Sequence, residues 1–478
     1  MRVSDYFHLG RSQPQLEFID IDIDGDTRVF VDPSALRHID SDWARECVSL
    51  LQGFFTAVLD AIQSGQDADA RALLASLSEP NETRLGLSSG RARGRGMGDD
   101  LARDAWGALK HSQAVQTGLL QDLEDSILFV EGIGYDIISD ITTNIIRGPL
   151  IEFTQSVASY YQIPLTPDVI SGSIWDRRSR TWTHGYEQLP TVPSGRLILV
   201  PKAIVRRSTT FDPGEYYNNY VLPVLEQEEL GGPASSLVQV LKNGSRRVTK
   251  KSLRQKYGVG KGVNLDTTLR NPDVLDRYRA HKARPQQPPG HREIAALTET
   301  PEPDWDQLLA AVVDTPPGRE SADRYHRAVE ALLTALLYPA LDFPVREFRL
   351  HQGRKRIDIQ YTNVATVGFF EWLHRVQGVP SSLIPIECKN YGAEIGNPEL
   401  DQLAGRFSPH RGQVGFLCHR GYGDKARVVQ TARDTAADHR GFIIALDDED
   451  LTELVAYRKA NPDGVTFPML FERFRALL

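Results

Sequence analysis

The chain has 478 residues, of which 41% are hydrophobic and 25% charged, and a formal net charge of −8. This mixture is typical of globular proteins, and at roughly 150 residues per domain the length predicts two to four domains. No apolar stretch could span a bilayer and no secretory apolar segment follows the N-terminus, so we expect a cytoplasmic protein with no membrane partner. Three widely spaced cysteines exclude a disulfide framework and a zinc site built from four cysteines.

The first 240 residues predict a mixed α and β region whose fold, and whose sensing or regulatory role, the patterns leave open. Apolar and acidic residues alternate from Leu16 to Ile23, a turn signal follows, and Val29–Val31 is apolar again, which predicts a β-hairpin. The other expected features are a helix from Trp43 to about Ile62, helices from Leu101 to about Tyr161, an irregular stretch at 171–195 and a short buried strand at Leu197–Val200.

A loop rich in glycine and arginine is expected at residues 84–98. Backbone N–H groups of such a loop could cradle phosphates. The segment lacks the Lys-Ser/Thr ending of a nucleotide-binding P-loop, so a flexible loop is the favoured interpretation.

A basic segment is expected at residues 241–284. Eight Lys and Arg and no acidic residue fall between residues 242 and 261. Cations interleaved with Ser, Thr and Tyr suit contacts with a phosphate backbone, and residues 273–283 have a helical pattern. We therefore predict a small helical module that contacts nucleic acid, with a solvated surface as the alternative. Its contacting residues would be Arg246, Arg247, Lys250, Lys251, Arg254 and Lys256.

A linker with seven prolines and one short helix near Trp305–Val313 is predicted at residues 285–318. The C-terminal region, residues 319–478, has the clearest pattern in the chain. It predicts an α/β domain with a central mixed sheet flanked by helices. The expected helices are 323–337, 367–376, 399–407, 424–437 and a final helical region; the expected strands are 345–350, 356–361 after a turn at Gly353, 383–388, 413–418 and 441–446.

The segment between the second and third of these strands contains three aromatic residues, Phe369, Phe370 and Trp372. They could belong to a substrate-binding element. Because aromatic residues at helical spacing are usually buried, core packing is the favoured interpretation.

Three polar residues of the C-terminal strands have the chemistry needed to hydrolyse a phosphodiester. Asp358 lies in one predicted strand, and Glu387 and Lys389 lie in the next. Residues two apart on a strand share a face, so Glu387 and Lys389 point the same way, while Ile386 and Cys388 face the core. Phosphodiester hydrolysis needs hard cations, which carboxylates bind. Such a charged pair is costly to bury without a metal or a partner.

The order of these residues resembles the signature of the restriction-endonuclease-like PD-(D/E)XK superfamily, with its Mrr-like and RecB-like members. Asp358 followed by Glu387-x-Lys389 matches the signature itself. Glu330 in the preceding helix and Gln402 in the following helix match two further positions. The resemblance covers residues 319–478 and departs from the signature in having no proline before the aspartate.

The resemblance implies a division of roles among the matching residues. Mg²⁺ or Mn²⁺ would be bound by Asp358, Glu387, Glu330 and the Cys388 carbonyl oxygen. Lys389 would orient the attacking water or stabilise the charge of the transition state. Gln402 and Arg406 would assist near the scissile phosphate.

The function implied is that of an endonuclease dependent on Mg²⁺ or Mn²⁺, with DNA favoured over RNA as the substrate. The large N-terminal region suits a restriction or anti-phage defence effector that responds to a protein or phage-derived trigger. A homodimer is expected, because many enzymes that cut both strands act as dimers. The alternative is a catalytically silent protein that has a nuclease-like fold and binds nucleic acid or a partner protein.

Overall fold

The computed structural model describes residues 1–86, 98–232, 236–350, 355–392 and 395–478. The expected turn at Gly353 and most of the expected glycine and arginine loop lie outside these ranges. Within them, no helix has both the length and the apolar character needed to cross a lipid bilayer.

Buried apolar side chains form two clusters, which correspond approximately to the two parts of the chain. The first extends from Val3 to Ile294 and the second from Leu308 to Leu477. The division is incomplete, because Tyr338 and Val364 belong to the first cluster. The two parts therefore share some of their core.

Up to residue 161, most of the residues that the structure describes are helical, as the apolar periodicity predicts. The longest begins after Ser41, whose side chain accepts a hydrogen bond from the Ala44 N–H, and it buries Phe54 and Phe55 along its apolar face. The helices are α1 (Val3–Tyr6), α2 (Pro33–Leu36), α3 (Asp42–Gln63), α4 (Asp67–Leu74), α5 (Gly98–Lys110), α6 (Gln113–Gln116), α7 (Asp125–Phe129), α8 (Tyr135–Ile145) and α9 (Arg147–Tyr161).

The strands before residue 210 are β1 (Phe30–Val31), β2 (Thr166–Asp176), β3 (Thr181–Leu189), β4 (Thr191–Val192), β5 (Gly195–Arg196) and β6 (Val205–Arg206). The predicted hairpin between residues 16–23 and 29–31 is wrong, because β1 pairs with β6. The backbone of residues 16–23 bonds elsewhere: the Val3 N–H donates to Ile21 and the Ile19 N–H donates to Val200. Distant segments thus take the hydrogen bonds that a local hairpin would have made.

A long β-hairpin occupies most of residues 171–195, where irregular structure was predicted. β2 and β3 are antiparallel, with Trp175 opposite Trp182. Trp175 is buried and packs edge-to-face on Phe54 of α3, with ring centroids 5.0 Å apart. Aromatic packing on a helix therefore stabilises strands whose Ser- and Gly-rich sequence gives only a weak strand signal.

Residues Leu197–Val200 are buried, as predicted, but they do not form a regular strand. The Ile198 N–H donates to the Glu82 carbonyl, and the Leu199 N–H donates to the Thr154 hydroxyl at 2.9 Å. A loop and a helix thus satisfy backbone groups that a neighbouring strand would otherwise bind.

The basic segment is helical, as predicted, but it has no core of its own. Its buried residues Leu253, Leu265 and Tyr278 belong to the first cluster. A π-helical turn (Tyr217–Val221) connects the two helices that precede it. The elements are α10 (Pro213–Tyr216), α11 (Leu222–Gly231), β7 (Gln239–Val240), β8 (Arg246–Arg247), α12 (Lys250–Tyr257), α13 (Lys261–Arg270) and α14 (Asp273–Lys282).

The proline-rich segment contains the predicted helix, α16 (Trp305–Val313), and a second one before it, α15 (His291–Thr298). Ile294 of α15 belongs to the first cluster, and Leu308 of α16 belongs to the second. The His291 ring is buried and hydrogen-bonds to the Ala335 carbonyl at 2.7 Å. The segment is therefore a packed connection between the clusters and not a free linker.

A five-stranded mixed sheet forms the centre of the C-terminal region, as predicted. Its strands are β9 (Leu341–Leu350), β10 (Lys355–Asn363), β11 (Leu383–Lys389), β12 (Val414–His419) and β13 (Phe442–Leu446). They lie in the order β13-β12-β11-β10-β9. The pairs β9–β10 and β10–β11 are antiparallel, whereas β11–β12 and β12–β13 are parallel. The sheet thus changes from antiparallel to parallel at β11.

Helices flank this sheet close to their predicted positions. Phe369 and Phe370 are fully buried, which confirms that the aromatic segment packs in the core. A π-helical turn (Trp372–Val376) continues that segment. The helices are α17 (Ala322–Leu337), α18 (Gly368–Glu371), α19 (Asn397–Ala404), α20 (Lys425–Ala437), α21 (Asp448–Ala460) and α22 (Pro468–Arg475).

A buried ionic cluster around Glu330 of α17 connects the two parts of the chain. The Glu330 carboxylate is inaccessible to solvent, and the Arg11 guanidinium donates to it at 2.5 Å. Arg346 of β9 and the Tyr160 hydroxyl of α9 also donate to it. Residues that lie far apart in the sequence thus bind one buried charge, which ties the N-terminal helices to the sheet.

Replacing Arg11 by alanine should lower the midpoint of thermal unfolding by roughly 4 °C or more, because a buried ion pair would lose one partner. Arg346 still balances the charge, so the protein should fold. Arg45→Ala is the matched control, since its acidic partners are at the surface, and it should change the midpoint little. Differential scanning fluorimetry measures both. Equal midpoints for the two variants would contradict a stabilising role for this cluster.

Candidate active site

Asp358 and Glu387 meet where the antiparallel part of the sheet joins the parallel part. Ile359 of β10 pairs with Ile386 of β11, so this register places Asp358 opposite Glu387. Directly opposed residues of an antiparallel pair project from the same face. Lys389 follows Glu387 by two residues and shares that face. The structure thus brings together the three residues of the predicted signature.

Glu387 is fully buried, and positively charged groups surround it. The Lys389 ammonium lies 3.6 Å from one carboxylate oxygen, and the Arg406 Nε lies 3.6 Å from the other. Burial, followed by repulsion from the Asp358 carboxylate, raises the pKa of Glu387 to about 7. The ionised form of this carboxyl is therefore costly even beside these two cations, and a bound metal ion would stabilise it.

Gln402 of α19 connects the two side chains of β11. Its Oε1 accepts a hydrogen bond from the Lys389 ammonium at 3.0 Å, and its Nε2 donates to the Glu387 carboxylate at 3.0 Å. An amide can make both bonds at once because it carries a donor and an acceptor. Gln402 and Arg406 therefore lie at the site where the resemblance placed them.

The Asp358 carboxylate is half-buried and is held by the backbone of the neighbouring strand. Its Oδ2 accepts a hydrogen bond from the Cys388 N–H at 2.9 Å. An ionised carboxylate offers about four lone pairs, so this bond leaves acceptor capacity for a cation.

His326 contacts the site and was not predicted from the sequence. It lies on α17, four residues before Glu330, and its Nε2 donates to the Cys388 carbonyl at 3.1 Å. Residues four apart share one side of a helix, so a search around Glu330 could have found it. The resemblance directed attention to the acidic residue alone.

Except for the buried Glu387, these groups line an open cleft of about 480 Å³. Arg319 and Tyr391 are exposed among its lining residues, where a cation and an aromatic ring suit a phosphate and a base. The lining residues are Gly318, Arg319, Ala322, His326, Asp358, Cys388, Lys389, Asn390, Tyr391, Gln402 and Arg406.

Glu330 is not part of this cleft, contrary to the role that the resemblance implies. Arg346, which binds its carboxylate, pairs with Ile359 and so projects from the sheet face opposite to Asp358. The hydroxyl of Tyr361, on that same opposite face, donates to the Glu330 carbonyl at 3.3 Å. The structure therefore separates Glu330 from the other predicted metal ligands by the thickness of the sheet.

No group of three or more His, Cys, Asp and Glu side chains among the described residues has the arrangement of a metal site. The oxygens that could hold a hard cation are the carboxylates of Asp358 and Glu387 and the Cys388 carbonyl. One observation fits such an ion: the buried Oε1 of Glu387 has no hydrogen-bond partner among the described residues. Few protein oxygens, completed by water, are the usual ligands of Mg²⁺.

Among the residues that the structure describes, none from the basic segment lines the cleft. Arg246 and Arg247 lie in β8, and Lys250 and Lys251 lie in the first turn of α12, all of them exposed. If they bind nucleic acid, they bind it at a separate surface. The remaining two predicted contacts in this segment are Arg254 and Lys256, also in α12.

Residues 8–212 match a family model described as "Domain of unknown function (DUF8370)". No curated protein and no solved structure matches the chain. The matched residues end before the sheet that carries the cleft. The description of this family names no activity.

Glu387→Gln should stabilise the metal-free protein at pH 8 and have a smaller effect near pH 5. Folding raises the pKa of Glu387 from 4.5 to about 7, so the folded state binds a proton more tightly than the unfolded chain does. Stability from this group is present below pH 4.5 and is lost as the pH rises through 7. Glutamine cannot ionise, so the variant does not lose this stability as the pH rises. Thermal unfolding in EDTA at both pH values measures the difference.

The matched control is Asp401→Asn, which removes an exposed carboxylate of α19 and should not change the pH profile. Mg²⁺ added at pH 8 should raise the unfolding midpoint of the unmodified chain and leave that of Glu387→Gln unchanged. A metal effect of equal size in both proteins would exclude Glu387 as a ligand.

Proposed function

We propose that the chain is a metal-dependent nuclease and that residues 319–478 are restriction-endonuclease-like. One observation supports this most: Asp358 and Glu387 face each other on adjacent strands, and Gln402 fixes Lys389 beside them. A carboxylate and an ammonium that line an open cleft, with a second carboxylate buried beside them, suit the hydrolysis of a phosphodiester bond.

Each of these groups has a role that its position supports. Asp358, Glu387 and the Cys388 carbonyl would hold Mg²⁺ or Mn²⁺, and the bound cation would neutralise phosphate charge and acidify water. Lys389 would hold the attacking water or stabilise the charge that develops on the phosphate. Gln402 would prevent the Lys389 ammonium from moving away from the reacting atoms.

Residues around this centre would position the substrate. His326 would orient the Cys388 carbonyl through its hydrogen bond. Arg406 would bind the scissile phosphate, and Arg319 and Tyr391 would contact a neighbouring phosphate and base.

DNA is the proposed substrate in preference to RNA, and a homodimer the proposed assembly, both by the resemblance. A restriction or anti-phage defence role is proposed on the same ground, with the N-terminal region restraining the nuclease until a trigger binds. The contacts of Arg11 and Tyr160 with Glu330 support such coupling, because they join that region to the first helix of the nuclease.

Asp358→Asn and Lys389→Met should each reduce the rate of cleavage by about 100-fold or more, because each removes a group that touches the reacting atoms. The substrates are supercoiled plasmid, linear duplex, single-stranded DNA and RNA, each with Mg²⁺, Mn²⁺ or EDTA. Asp401→Asn and Lys459→Met make the same substitutions at the surface and should cleave normally. Cleavage that persists in EDTA or in both site variants would contradict the proposal.

The alternative, a catalytically silent binding protein, predicts a different result. No substrate would then be cut, with or without phage lysate as a source of the trigger, while nucleic-acid binding would persist and weaken with salt. Cleavage that starts when lysate is added, and that Asp358→Asn abolishes, would support a latent nuclease.

A further inference from the structure

Five exposed cations cover the ribbon formed by β7 and β8 and the start of α12. None of them forms an ion pair with a residue that the structure describes, whereas Arg270 and Arg277 in the following helices do. We call this surface the basic ridge; it consists of Lys242, Arg246, Arg247, Lys250 and Lys251.

Two other cations of α12 are excluded from the basic ridge because the fold uses them. Lys256 forms an ion pair with the nearly buried Glu229 of α11. Arg254 donates to the Asn218 side chain at 2.7 Å. These contacts attach one part of α12 to α11 and to the π-helical turn before it, and they leave the first turn of α12 for another role.

Local structure holds the cations of the ribbon and of the helix in one arrangement. Gln239 pairs with Arg247 in the ribbon. Val248, the next residue, is buried in the first cluster and anchors the chain there. The Thr249 hydroxyl then caps α12 by accepting a hydrogen bond from the Ser252 N–H at 3.1 Å. A partner would therefore meet a preformed surface, which lowers the entropy cost of binding.

The position of these charges is unfavourable for the isolated protein. Lys250 and Lys251 occupy the first turn of α12, where the helix dipole favours acidic residues. No acidic residue occurs between Glu229 and Asp266, so neighbouring cations repel one another without local compensation. A polyanion would relieve both costs, and its phosphates would also accept hydrogen bonds from the arginines.

We propose that the basic ridge binds the phosphate backbone of duplex DNA without reading its sequence, and that it holds the substrate while the separate cleft cuts it. The choice of DNA depends on the proposed nuclease function. The charge arrangement favours a backbone, because short polar residues such as Asn243 and Ser245 lie between the cations. The ridge therefore contributes to affinity, and the cleft to chemistry.

The test is fluorescence anisotropy with a labelled 20-base-pair duplex in EDTA, where binding is measured without cleavage. Two double variants, Arg246→Gln/Arg247→Gln and Lys250→Gln/Lys251→Gln, should each weaken binding about tenfold or more at moderate salt. Each should also reduce the slope of log affinity against log salt by about 1.8, since two phosphate contacts are lost. The matched control is Arg270→Gln/Arg277→Gln, which removes the same charge from paired residues and should change affinity less than about twofold.

Equal losses in the ridge and control variants would overturn the proposal, because net charge would then explain the effect. It would also be overturned if vesicles of phosphatidylserine and phosphatidylcholine bound in a ridge-dependent way while the duplex did not. All variants should fold, because the changed side chains are exposed. Lys250→Gln/Lys251→Gln should slightly raise the unfolding midpoint, because it removes two cations from the first turn of α12.

The Asp358→Asn variant distinguishes the test of this proposal from the test of the proposed nuclease function. If the unmodified chain never cuts but binds duplex through the basic ridge, the proposed nuclease function is wrong and the proposed binding surface is supported. The opposite result is that the unmodified chain cuts, Asp358→Asn does not cut, and the ridge variants bind and cut like the unmodified chain. The proposed binding surface is then wrong, and the proposed nuclease function is supported.

Discussion

The register between β10 and β11 is the constraint on which the candidate site depends. Side chains alternate between the two faces of a sheet, so a shift of one residue would place Asp358 and Glu387 on opposite faces. Buried Ile359 and Ile386 fix the register through the core, and the hydrogen bond from the Cys388 N–H to Asp358 fixes it at the strand end. The apolar pattern that builds the sheet therefore also aligns the acids, and α19 then adds Gln402 beside them.

Burial gives that site its chemical character. Glu387 has no contact with solvent, yet Lys389, Arg406 and Gln402 surround it with donors. Because of the raised pKa, a proton would compete near neutral pH with the proposed metal ion for the same carboxylate. Occupancy by the metal would therefore increase with pH over the range in which the metal-free protein loses stability, so the ion would replace the proton as the stabilising charge.

The C-terminal elements could be predicted because each carries its own signal: short apolar strands, period-3.6 helices and polar residues at strand ends. Strand order and residue chemistry point to Asp358, Glu387 and Lys389, the resemblance adds Gln402 and Arg406, and the structure brings these five residues together. The position of Glu330 could not be predicted, since it depends on Arg11, more than 300 residues away. The β2–β3 hairpin could not be predicted for a similar reason, because packing on α3, which is distant in the sequence, stabilises it.

Tyr338 and Val364 lie in the C-terminal part but pack in the first cluster. This shared core limits how such a protein can evolve. Regions with separate cores can be exchanged between genes by recombination, because each folds alone. In this protein, separating the two regions would expose apolar surface on both of them. New binding properties would therefore have to arise by substitution at the cleft and on the surface, and limited proteolysis should release no stable C-terminal fragment.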